Sequence, residues 1–79
     1  MNTKHRQRVM KILGAKEGDI VTPSGDIGYA KGGGKYLIHY VDRYGVVDVE
    51  LIERPGSHTT WSRSELMAAK RRGVTFTVA

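Results

Sequence analysis

One stretch, 35–54, limits what this chain can fold into more than any other. It reads KYLIHYV, then DRYG, then VVDVELIER: two runs rich in β-branched and aromatic residues, split by an Asp-x-x-Gly turn. The pattern predicts a β-hairpin, whose register decides which residues meet solvent. If 42–45 form a plain four-residue loop with Val41 opposite Val46, then Tyr36, Ile38 and Tyr40 share a face with Val47, Val49 and Leu51. His39 then lies outside, opposite Asp48. If instead Gly45 takes a left-handed bulge position and Asp42 pairs with Val46, the first strand turns over. Leu37, His39 and Val41 then face inward, and Tyr36 and Tyr40 outward. The first register is favoured, because it buries two tyrosines and sets His39 beside a carboxylate.

A hairpin alone is marginal in water, so the flanks must supply its cover. Asn2 is placed to cap a helix over 3–13, which Gly14 would stop. Val9, Met10, Ile12 and Leu13 gather in its C-terminal half, and cations crowd the positive end of its dipole, so its first turn is expected to fray. Short strands are expected at 20–22 and 26–30, joined by the turn Thr22-Pro23-Ser24-Gly25, with Gly28 weakening the second. Another follows at 59–61, after the turn Pro55-Gly56-Ser57-His58.

The clearest helix start comes next. Ser62 and Glu65 are spaced as a capping box, with Trp61 and Leu66 as a hydrophobic staple. That helix runs to about residue 72, where Gly73 and Val74 suit a Schellman ending against Ala69. Alternation over 74–78 predicts a last strand at the sheet edge, with Val74, Phe76 and Val78 inward.

With 79 residues there is room for a single domain, 1–79: a basic helical arm at 1–16, a sheet at 17–61, and a capped helix with a final strand at 62–79. No cysteine is present, which suits a reducing cytoplasm and rules out a disulfide staple. No apolar run has the length of a membrane span, and the N-terminus lacks the apolar core of a signal peptide. A cytoplasmic chain with no membrane partner is expected.

The net charge of +5 is unevenly spread. Residues 1–16 carry Lys4, Arg6, Arg8, Lys11 and Lys16 with no acid. The middle, 17–53, sets seven acids against Lys31, Lys35 and Arg43; after it, Arg54, Arg63, Lys70, Arg71 and Arg72 face only Glu65. Basic ends around an acidic middle suit phosphate contacts, although the cations of the last helical turn also satisfy its dipole.

Lys31-Gly32-Gly33-Gly34-Lys35 resembles a phosphate loop only superficially. Tyr29 stands where a P-loop needs its first Gly, Tyr36 where it needs Ser or Thr, and a strand rather than a helix follows. A loop between strands is the plainer reading, with its two lysines as possible contacts. His5, His39 and His58 have no cysteine or close carboxylate pair at metal spacing, so no metal, cofactor or catalytic residue is implied, and no enzyme activity is expected.

Gly18-Asp19-x-Val21, the turn at Gly25, the runs 36–41 and 47–51, and Trp61 followed by Leu66 together resemble the layout of SH3-like small β-barrels of the KOW and Tudor type, over 17–66. The resemblance implies an α+β fold built on a small antiparallel barrel. The added N-terminal helix and C-terminal helix plus strand could open that barrel into a curved sheet. It also implies binding through loops, here 29–35 and 55–60.

Two functions follow as expectations. One is a nucleic-acid accessory protein touching DNA or RNA without sequence preference, through Lys4, Arg6, Arg8, Lys11, Lys31, Lys35, Lys70, Arg71 and Arg72. The other is an adaptor or inhibitor, of the kind small phage and mobile-element genes encode, docking on a larger protein or on a second copy of itself as a homodimer. Internal pairing of the basic ends with the acidic middle is the plainest use of the charges.

Overall fold

A computed structural model describes residues 3–79, and its elements run in chain order as α1 (Lys4–Leu13), β1 (Ile20–Pro23), β2 (Tyr36–Val41), β3 (Val47–Leu51), β4 (His58–Trp61), α2 (Arg63–Arg71) and β5 (Phe76–Val78). The fold is α+β. Its five antiparallel strands lie in the order β4-β3-β2-β1-β5, so the sheet is open and the barrel closure implied by the SH3-like layout does not occur. β5 takes the edge beside β1, which is the position the alternation at 74–78 anticipated.

Both helices supply the core above the sheet. Val9 and Leu13 of α1, and Leu66 and Ala69 of α2, are buried with Val21, Ile38, Val41, Val47, Val49 and Trp61. Trp61 meets Tyr36 edge-on, with ring centroids 5.2 Å apart. The Tyr36 hydroxyl donates to Lys31 O at 3.0 Å, and burial raises its pKa above the ordinary tyrosine value. Among the described residues, the Trp61 indole nitrogen is the one buried side-chain polar atom without a partner.

The hairpin keeps neither expected register throughout. Near the turn the second one holds: Gly45 has φ 82°, and Asp42 N donates to Val46 O at 3.0 Å, with Val41 opposite Val47. At the far end the first one holds, with Tyr36 opposite Leu51 and Ile38 opposite Val49. A bulge joins them, because the register shifts between Ile38 and Tyr40. Ile38 and Val41 are three residues apart, so a regular strand would send them to opposite faces; the extra residue lets both point inward. The bulge therefore leaves both His39 and Tyr40 exposed, and the expected burial of Tyr40 and pairing of His39 with Asp48 do not form.

Other differences have local causes. Residues 26–30 form a tight turn rather than a strand: Ile27 and Ala30 exchange both backbone hydrogen bonds around Gly28, whose φ is 56°. The glycine loop is pinned: Gly33 N donates to Pro23 O at 2.8 Å, Gly32 N to Asp26 Oδ1 at 2.9 Å, and a Cβ on Gly32 would lie 2.7 Å from the backbone of Gly25. Val78 sits opposite Val21 but is 40% exposed, because an edge strand lacks cover on one side.

Candidate nucleic-acid interface

α2 is built as its sequence specifies. Ser62 Oγ accepts from Glu65 N at 3.1 Å while Glu65 Oε1 accepts from Ser62 N at 3.0 Å, closing the capping box. At the other end Val74 N donates to Ala69 O and Gly73 N to Lys70 O, the paired bonds of a Schellman motif. Leu66 and Ala69 bury one stripe, which turns Lys70 and Arg71 to solvent.

α1 has weaker local encoding. Its N-cap is Thr3, whose side chain makes no capping hydrogen bond; Asn2, the expected cap, lies outside the described residues. The first turn is nevertheless tied down from outside. Arg6 Nη2 pairs with Glu17 Oε1 at 2.5 Å and Arg6 Nε donates to Val41 O at 3.2 Å, while Val41 N donates to Glu17 Oε2 at 3.2 Å. β1 is too short to reach this part of β2, so the ion pair takes the place of a neighbouring strand and satisfies both backbone groups of Val41. Arg63 of α2 contacts the His5 ring from the other side.

Packed in this way, α1 and α2 enclose a groove of about 370 Å³ lined by Arg8, Lys11, Ile12, Met67, Lys70 and Arg71. The two basic ends of the chain thus meet. All four cations are exposed, and among the described residues none of them pairs with a carboxylate. Their sign and the apolar floor of Ile12 and Met67 make a strip that attracts phosphate and offers an aliphatic surface to the groups beside it.

The other expected contact residues are placed elsewhere. Arg6 is committed to Glu17 and Val41, and Arg72 Nη2 donates to Asp26 O at 2.7 Å. Lys31 and Lys35 are exposed on the glycine loop and do not line the groove; Lys4 is exposed in the first turn of α1. Ile12 and Met67 escaped the sequence reading as site residues. The signal for them was present, since each stands beside a groove cation or one helical turn from it.

The outer face of the sheet holds a second polar cluster, His39, Asp48, Glu50 and His58. The Glu50 carboxyl is held below its ordinary pKa, first by the hydrogen bond from Gly56 N and then by His39. Comparison with protein-family models, curated proteins and solved structures finds no match to this chain.

Proposed function

We propose that this chain is a non-enzymatic binding module that holds nucleic acid, DNA or RNA and without sequence preference, in the groove between α1 and α2. The observation that carries the reading is the convergence of Arg8, Lys11, Lys70 and Arg71, from opposite ends of the chain, on one surface with no carboxylate partner among the described residues. Four unneutralised cations side by side repel one another, and a polyanion that releases its counterions relieves that repulsion. No described helix is long and apolar enough to cross a membrane, and the reading needs none. The cytoplasm, where nucleic acid is at hand, is the proposed site of action.

The test is binding to labelled random duplex DNA and single-stranded RNA at about 50 mM salt. Replacing Arg8, Lys11, Lys70 and Arg71 together by Gln is expected to weaken binding by about 100-fold or more, while Lys31→Gln with Lys35→Gln changes it little. Equal affinity of the groove variant and the parent would sink the proposal.

A second reading, docking on a larger protein, is favoured by one residue. Tyr29 tops the turn at 27–30 with its side chain entirely in solvent, beside a shallow concavity lined by Tyr36, Leu51 and Thr59. An exposed aromatic next to a hollow suits an interface anchor. A pull-down that returns no stoichiometric partner, together with a monomer by light scattering, would remove this reading.

A further inference from the structure

The outer face of the sheet gathers two imidazoles around a single carboxylate oxygen. His39 Nε2 lies 2.6 Å from Glu50 Oε1 and His58 Nε2 lies 3.7 Å from the same atom. The two rings are 4.8 Å apart, centroid to centroid, and all three ligand atoms fall within 4.8 Å of one another. Each residue comes from a different strand, so the sheet fixes their spacing. His39 is delivered by the bulge in β2, and Glu50 and His58 are direct cross-strand partners on β3 and β4.

The ring nitrogens of His39 and His58 converge on one carboxylate oxygen, and Asp48 stands at the far nitrogen of His58. A divalent cation between them would take a lone pair from each imidazole and from the carboxylate.

The groups behind the ligands are also in place. Glu50 Oε2 accepts Gly56 N at 2.7 Å, which leaves Oε1 as the inward donor. His58 Nδ1 lies 3.4 Å from Asp48 Oδ1, so Asp48 favours the tautomer that frees Nε2. A carboxylate on the far nitrogen of a ligating histidine is the usual support of a zinc-bound imidazole.

We propose that His39, Glu50 and His58 form a zinc-binding site, with Asp48 orienting His58 and the fourth position open to solvent. Two nitrogens and one oxygen suit zinc over magnesium or calcium, which prefer all-oxygen shells. Tetrahedral zinc at about 2.0–2.1 Å separates its ligands by about 3.3 Å. The 2.6 and 3.7 Å separations from Glu50 Oε1 differ from that value by less than 1 Å, and the widest separation in the group, within 4.8 Å, closes by rotation of the two exposed histidines. This site is independent of the helical groove, and binding there clamps β2, β3 and β4 together.

The test is titration of the full chain with zinc chloride at pH 7.5, by calorimetry and thermal melting, with magnesium chloride as the control. One equivalent is expected to bind, and zinc at a hundredfold excess over Kd to raise Tm by about 10 °C. His39→Ala and His58→Ala should each abolish the rise. Asp48→Asn should weaken affinity about tenfold, and His5→Ala should leave binding intact. Glu50→Gln, which preserves size at a half-buried position, guards against loss through misfolding. Absence of saturable binding by the parent up to about 1 mM zinc would overturn the site, as would undiminished binding by the His39→Ala, His58→Ala double variant.

Discussion

The two helices reach the same groove by different routes. α2 carries its instructions locally: a capping box at one end, a Schellman motif at the other and an acid in the first turn. α1 has none of these except a left-handed Gly14 at its end, and it is held by Arg6, Glu17 and the backbone of Val41, residues far apart in the chain. The difference teaches that half of the cationic groove is encoded locally, while the other half exists only when the hairpin has formed and α1 has docked on it.

The comparison breaks most easily at Gly45. It is buried with φ 82°, and a Cβ there would lie 2.9 Å from Val9 Cγ2 and 3.1 Å from His5 O, both on α1. Gly45→Ala combines a left-handed backbone with a clash and is expected to cost about 3 kcal/mol, read by urea denaturation, with helicity lost from α1 first. A smaller effect falls on the self-contained helix: Ser62→Ala removes the cap and should cost about 1 kcal/mol without altering how α1 docks.

Glu17→Gln is the counterpart for α1. The ion pair is about one-third exposed on both sides, so the cost should be about 1 kcal/mol, mostly from weakened hydrogen bonds at Arg6 and Val41, with faster amide exchange at Val41 as the specific sign. The smallest effect is at Glu50. Its carboxyl titrates lower in the folded chain than in the unfolded one, so its contribution is present above the unfolded value of 4.5 and is lost as pH falls through the folded value. Acid unfolding of Glu50→Gln should be slightly less steep below pH 4.5 than that of the parent; identical profiles would mean that Gly56 and His39 do not favour the charged form.

What the sequence made legible divides along the same line. Ser62, Glu65 and Gly73 announce α2 because caps are short-range chemistry, and the alternation at 74–78 places an edge strand. The bulge at His39 was not read, because it answers demands from both ends of the hairpin: Gly45 sets one register and the apolar pair Tyr36 and Ile38 sets the other. The odd spacing of Ile38 and Val41 was the available clue. Missing it hid the cluster of His39, Glu50 and His58, since only the bulge and the β3–β4 register bring them together. Likewise Arg6 reads as one basic residue among several until its partner Glu17 is placed beside Val41.

The most direct test of the proposed nucleic-acid groove is a titration with duplex DNA at several salt concentrations, compared between the parent and the Lys70→Gln, Arg71→Gln double variant. Four phosphate contacts give a slope of log Kobs against log salt of about −3.6, and removal of two should bring it to about −1.8. A parent slope near zero, or one that the double variant leaves unchanged, would contradict the placement of phosphates between α1 and α2.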